Sequence, residues 1–218
     1  NQMDNLKKWI RGYCATNSFA DWNAGRVIAA LDQSPYAKNT ILIFCSDNGY
    51  QMSAKSRTQK GTLWELSGVL PLMIRFPGVN PQVLDQKVKL LDIYPTLMEY
   101  CQIEAPTDHQ LQGESMMPIF KNPSFKWNKP ALTTYGVGYA SVRDDRYRYI
   151  SYPDGTGELY DHSVDPYEFK NIINQLKSRV IIKRLAKYLP KKYANSLGGR
   201  YETPRNNISS RVERKGVL

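Results

Sequence analysis

Cysteine and histidine are scarce in this chain: 3 of the first and 2 of the second in 218 residues. Cys14, Cys45 and Cys101 stand far apart, share no metal-ligand spacing and are odd in number, so they encode neither a disulfide framework nor a zinc site. Cys45 lies inside an apolar run and is expected to be a small buried hydrophobe. His109 sits in the surface-loop composition Pro106-Thr107-Asp108-His109, and His162 follows Leu159-Tyr160-Asp161; both read as structural. No uncharged apolar run is long enough to span a bilayer. No Gly-rich phosphate loop and no Ser-His-Asp pattern is present, and the chain shows no repeat or low-complexity tract. The first residue is Asn1 rather than Met, and no basic-then-apolar leader opens the chain. That start reads as a trimmed chain or as a fragment whose upstream half is elsewhere.

Acid is nearly missing from the carboxyl-terminal end. From Lys170 onward there are 13 Lys and Arg against Glu202 and Glu213 alone. The preceding residues hold 17 basic against 18 acidic side chains, so the whole net charge of +10 sits in the tail. Such a tail attracts polyanions without specificity, or is simply a solvated helix face with a loose end. Gly198 onward is polar and basic and is expected to be poorly ordered.

What remains is ordinary for a globular protein, with 41% hydrophobic and 23% charged residues, enough for one core or one core with an appendage. Apolar residues at helical spacing predict a long helix, or two abutting ones, from about Met3 to about Leu31, ended by Ser34-Pro35. The run Ile41-Leu42-Ile43-Phe44-Cys45 predicts a strand over 40–46, buried on both faces as in a parallel sheet. A second strand is expected at Leu72 to Arg75, a third at Val88 to Leu91, and a helix at Tyr94 to Cys101 with Pro95 in its first turn. From Ala131 the chain turns aromatic and alternating. Strands at 131–135, 139–143, 147–152 and 158–160, punctuated by Asp144-Asp145 and Pro153-Asp154-Gly155, predict an antiparallel meander. A helix follows from Asn174 to about Leu189, closed by Pro190.

The apolar strand ends abruptly in Ser46-Asp47-Asn48-Gly49, and a polar loop runs from there to Thr62. Ligands of open α/β sheets bind beyond the carboxyl ends of such strands, and loops of this length are usually functional or disordered. Ser-Asp-Asn-Gly is also a good turn sequence in its own right. As chemistry, Asp47 and Asn48 offer a carboxylate and an amide oxygen, both hard donors suited to Ca²⁺. Two ligands fall short of the roughly six to eight oxygens that Ca²⁺ takes, so further carboxylates must come from elsewhere. Lys60, on the same loop, is either a solvated lysine or a compact positive charge for a tetrahedral oxyanion.

These segments carry a resemblance to the sulfatases of the alkaline-phosphatase superfamily. Ser46 to Gly49, Lys60-Gly61-Thr62-Leu63-Trp64-Glu65 and Val69 to Gly78 stand in the family's order. They are followed by Leu91-Asp92-Ile93-Tyr94-Pro95-Thr96-Leu97, Leu111-Gln112-Gly113-Glu114-Ser115, Val142-Arg143 to Tyr149, Glu158-Leu159-Tyr160-Asp161 and Asp165-Pro166-Tyr167-Glu168 with Asn171. Upstream, Tyr13 to Leu31 is similar to the helix before the metal strand. The resemblance implies an α/β protein, part of an alkaline-phosphatase-like sandwich with a mixed or parallel sheet, plus a small antiparallel sheet with a helix. Its implied domains are the catalytic α/β portion at 1–125, the antiparallel subdomain at 126–190 and the basic tail at 191–218.

The same resemblance implies that Asp47 and Asn48 ligate Ca²⁺ and that Lys60 contacts the sulfate. Ser53-Ala54 and Arg57 depart from the family's loop pattern. The family's nucleophile is a formylglycine made in a Cys/Ser-x-Pro-x-Arg motif, and none of the three cysteines fits it. The chain is therefore expected to be the carboxyl-terminal half of a sulfuric ester hydrolase, holding half a metal site and inactive alone. The intact enzyme would act on a sulfated small molecule or glycan, with no specific nucleic-acid partner and no transmembrane segment, and relatives are mostly exported. The competing readings are a non-catalytic polyanion-binding module, a pseudoenzyme, or a phosphodiesterase or phosphonate hydrolase of the same superfamily.

Overall fold

The computed structural model describes residues 2–194, which form two compact units. The first comprises residues up to Lys60 and Val69–Val83, and the second Gly61–Gly68 and residues from Leu84 on. Most of the basic tail, from 195, lies outside the described residues, as does the expected disorder after Gly198.

The first unit opens with helix α1, Gln2–Asp32. Strand β1, Leu42–Cys45, runs into the acid–amide turn. Strands β2, Gln51–Met52, and β3, Thr58–Gln59, then form a short hairpin with Gln51 opposite Gln59 and Met52 opposite Thr58. A short helix α2, Glu65–Gly68, belongs to the second unit. Strand β4, Leu72–Arg75, returns to pair with β1, Leu42 facing Arg75 and Cys45 facing Leu72. That pairing is antiparallel, which corrects the parallel placement expected for this strand. Cys45 is exposed and the rest of β1 is half-buried, which corrects its two-sided burial as well. A continuous apolar run encodes a demand for cover, not the direction of the partner. Here the described partner is one strand, and a two-stranded sheet covers little of either face. Arg75 pairs with Asp32 of α1 at 2.8 Å. Tyr50, two residues after Asn48, stacks on Tyr13 of α1 at 4.9 Å between ring centroids and meets Trp9 edge-on at 6.0 Å. These ring contacts hold the start of the polar loop against the helix.

In the second unit, Val88 to Leu91 forms no strand. It leads into a single 3₁₀ turn, Leu90–Asp92, and then helix α3, Ile93–Cys101. The reason is Asp92, fully buried, whose carboxylate accepts the backbone N–H groups of Lys89 and Glu114 at 2.8 and 2.9 Å. Thr96 extends the clamp, donating to the Asp92 carbonyl and accepting from the Met116 N–H at 2.8 Å. A Cβ at Gly113 would stand 1.8 Å from the Leu91 carbonyl oxygen, so only glycine allows this approach. Helix α4, Met117–Lys121, follows.

The meander is present as strands β5, Ala131–Thr134, β6, Ala140–Arg143, β7, Tyr147–Ser151, and β8, Gly157–Asp161, paired antiparallel in that order. Both faces are covered, so β6 is buried throughout. On one face Val142, Leu159, Ile172 and Leu185 form a core under helix α5, Ser178–Leu185, which ends through a 3₁₀ turn at Ala186–Tyr188. On the other, Leu63 and Trp64 pack against Ile150 and Tyr160. Each fully buried aliphatic side chain contributes about 2 kcal/mol.

Candidate functional site

The three residues singled out in the sequence meet in the first unit. The Lys60 ammonium donates to Asn48 Oδ1 at 2.8 Å and lies 3.7 Å from Asp47 Oδ2. Local hydrogen bonds set this arrangement. Ser46 Oγ donates to the Asn48 carbonyl at 2.9 Å and closes the turn. Asn48 Nδ2 donates to the Gly49 carbonyl at 2.8 Å, which leaves Oδ1 as the free lobe of the amide. The β2–β3 hairpin returns the chain so that Lys60 directly follows the strand that faces Gln51. The hairpin is what turns a separation of 12 residues into contact.

The arrangement is open to solvent: the Asp47 side chain is 83% exposed and that of Lys60 59%. Ion pairs this exposed contribute about 0–1 kcal/mol, so the cluster adds little to stability and stays available to a ligand. The carboxylate and the amide oxygen face one cationic point, the ammonium. That convergence of two hard oxygen donors fits a hard divalent ion, with the remaining ligands to be supplied from outside this pair. Beside them, Gln51 is buried and its Oε1 has no hydrogen-bond partner among the described residues.

A second ionic cluster was not anticipated from the sequence. It lies wholly in the second unit and joins Glu65, Arg143, Arg148, His162 and Glu168. Glu168 Oε2 accepts the Glu65 backbone N–H at 2.8 Å, while Oε1 meets His162 Nε2 at 2.9 Å. Arg148 Nε lies 2.7 Å from Glu168 Oε1, an ion pair set off-line for a hydrogen bond. Arg148 also pairs with Glu65 and donates to Ser141 Oγ at 2.6 Å, and Arg143 Nε donates to Glu65 Oε2 at 3.2 Å. Glu168 adopts a left-handed backbone, φ 61°, which costs on the order of 1–2 kcal/mol in a non-glycine residue. Burial pushes the Glu65 carboxyl up, but the guanidiniums of Arg148 and Arg143 outweigh it and hold it below its ordinary value.

Glu65, His162 and Glu168 lie close enough together to hold a metal. The chemistry argues otherwise: two guanidiniums already balance the two carboxylates, and an ion would have to displace them. The cluster is an anchor for the segment that follows Lys60. Trp64 strengthens it, with Nε1 donating to Glu158 Oε2 at 2.7 Å, and the hydroxyls of Tyr152 and Tyr160 donate to the same carboxylate. Burial, then the Glu158 charge, pushes both phenols far above their ordinary range. The available signal was the motif residues themselves, Glu65, Arg143 and Glu168, whose roles the linear pattern does not state.

An apolar strand ending in an acid–amide turn, a loop lysine folded back on it and a covered antiparallel meander define an alkaline-phosphatase-like α/β protein. Comparison with known proteins narrows this. The profile for N-sulphoglucosamine sulphohydrolase, C-terminal, matches residues 57–195, and the profile for sulfatase matches residues 2–103. The chain belongs to the sulfatase family. A sulfatase of Formosa agariphila is 41% identical over 85% of this chain and 36% of its own length. A solved 2-O glycosaminoglycan sulfatase is 25% identical with a TM-score of 0.63, covering 74% of this chain and 38% of that one. A protein solved with its substrate D-glucosamine-2-N,6-O-disulfate is likewise 25% identical, with a TM-score of 0.63 over 77% of this chain and 36% of that one. The chain thus spans a little over a third of the length of these relatives.

Proposed function

We propose that the intact protein hydrolyses sulfate esters of saccharides, with Asp47 and Asn48 holding a calcium ion and Lys60 binding the sulfate. The single observation carrying this reading is the convergence of Asp47 Oδ2 and Asn48 Oδ1 on the Lys60 ammonium, in a chain of the sulfatase family. A bound divalent ion would polarise a sulfate oxygen and offset charge on it. Asp47 contributes the negative charge of this half-site, and Asn48 supplies a second oxygen without adding another, which keeps the site tolerant of an anionic substrate. Lys60 places a fixed positive charge for the sulfate oxygens, on a loop held by the ring stack on Tyr50 and by the β2–β3 ladder. The nucleophile, a formylglycine by family resemblance, and the remaining metal ligands come from residues outside this chain.

The saccharide assignment draws support from the glycosaminoglycan sulfatase and the glucosamine disulfate complex among the similar structures. An exported or lysosomal compartment is the corresponding expectation. Among the described residues no helix is long and apolar enough to cross a membrane.

The test is calcium binding and sulfate-ester turnover by the full-length protein carrying Asp47→Ala and Asn48→Ala together. Loss of calcium affinity with loss of turnover supports the assignment; calcium binding equal to the parent's overturns it.

A further inference from the structure

The carboxyl-terminal stretch of the second unit carries a one-signed face that the site described above does not use. Between Phe169 and Ala194 stand eight Lys and Arg and no acid. Helix α5 sets how they are presented. Its apolar side is spent on the meander: Leu185 is buried, Ile181 and Ile182 pack against the same core, and the buried Ser178 Oγ donates to the Ile172 carbonyl at 2.6 Å. The opposite side faces solvent, with Arg179 and Lys183 four residues apart on it and both exposed. The 3₁₀ turn Ala186–Tyr188 continues the winding and brings the exposed Lys187 onto the same side. The rise per residue spaces these three cations about 6–7 Å apart along the axis. Of the eight, Arg184 is the one with an ion pair to a described residue, Asp144 Oδ2 at 2.6 Å. Like charges four residues apart weaken a helix, and α5 holds no acid to relieve them.

A single anion can neutralise one or two members of such a row. Three cations over a span of about 13 Å match a chain that repeats its charge. A lipid surface would need an apolar helix face free to enter it. The apolar face of α5 is covered by the core, and Val180 is the exposed apolar side chain left on the helix. A nucleic-acid strand would need aromatic platforms for its bases, and α5 has none. We propose that Arg179, Lys183 and Lys187 form a docking row for a sulfated or carboxylated polysaccharide, holding the polymer whose esters the intact enzyme cleaves. The row reads charge density along the polymer rather than one particular sugar. This inference rests on the sulfatase reading and names the form of its substrate.

The experiment uses the full-length protein, with heparin as the polymer and a glucosamine disulfate as the single-sugar ligand. Binding of each is measured by calorimetry across salt, and turnover by sulfate release. The variants are Lys183→Gln alone, the same change combined with Arg179→Gln and Lys187→Gln, and Lys126→Gln, an exposed lysine of the same unit outside the row. Glutamine has a helix propensity close to that of the residues it replaces, so the helix should persist. The combined variant should bind heparin at least about tenfold more weakly at low salt, and its log–log salt slope should shrink by about 2. Arg179→Lys with Lys183→Arg should keep the affinity of the parent. Binding of the disulfate should stay the same in every variant. Unchanged heparin affinity in the combined variant overturns the row. So does a loss in Lys126→Gln as large as that in Lys183→Gln. Duplex DNA or phosphatidylserine vesicles bound as tightly as heparin at the same salt overturn the polysaccharide assignment. Absence of sulfate release from either ligand instead removes the sulfatase reading, and the heparin affinities then still decide whether the row holds the polymer.

Discussion

Two ionic clusters in this chain use the same side-chain chemistry to opposite ends. At the polar loop, Lys60 lies 2.8 Å from the Asn48 amide oxygen and 3.7 Å from the Asp47 carboxylate, with Asp47 and Lys60 open to water and Asn48 half-buried. Around Arg148, two carboxylates, two guanidiniums and an imidazole are sealed under the meander, with the Arg148 side chain 3% exposed and that of Glu168 1%. Water screens the first cluster, so its partners exchange freely and a ligand can compete for them. Burial fixes the second, because any member left alone would be a desolvated charge. The proposed binding chemistry lies with the first and mechanical anchoring with the second, although among the described residues it is the second whose acidic and histidine side chains gather closely enough to hold a metal.

The contrast is sharpest in Arg148→Ala. It leaves Glu65 and Glu168 buried with less compensation and is expected to lower unfolding free energy by about 3–5 kcal/mol, read from urea denaturation. A loss below about 1 kcal/mol would erase the distinction between the two clusters. Lys60→Ala should do the reverse: turnover in the full-length enzyme falls about 10²- to 10³-fold while the melting temperature stays put. Acid provides the next test. The Glu65 carboxyl is held below its ordinary value of 4.5, so its ionised form is the one the fold favours. Its stabilisation is complete above that ordinary value and disappears as pH falls through the lower folded value. Asp161, held down chiefly by its hydrogen bond from Arg146 and further by Ser163, adds to the same acid-side loss. Glu65→Gln should therefore flatten the decline of stability below about pH 4.5, followed by circular dichroism across pH. The smallest effect is expected for Asp47→Asn, which should change unfolding free energy by less than about 0.5 kcal/mol.

How much of this the sequence disclosed follows from what kind of signal each feature leaves. The meander was legible almost residue for residue, because alternation with period two and turn residues at its corners are local properties. Helix α1 was legible for the same reason, from its 3.6-residue period. Asp47, Asn48 and Lys60 were picked out by type and place, and they do converge, although nothing in the linear pattern foretold the hairpin that joins them. Its strands are two residues each, too short to show a period. The direction of β1 was misread because apolar continuity is the same for either pairing. Val88 to Leu91 looked extended, but its fate was decided by Asp92 bonding to Glu114, a contact across 22 residues. The buried cluster was hidden for a similar reason, with Glu65 meeting partners 78 to 103 positions away.

The stretch Gly61–Gly68 belongs to one unit while the residues on either side of it belong to the other. The polypeptide therefore passes from unit to unit three times before Leu84, and no single scission can deliver both as intact pieces. A gene-level exchange between Lys60 and Gly61 would part β4 from β1, and one between Gly68 and Val69 would strand the stretch bearing Leu63 and Trp64 from the strands they cover. The two units are bound to be inherited, and to evolve, as one.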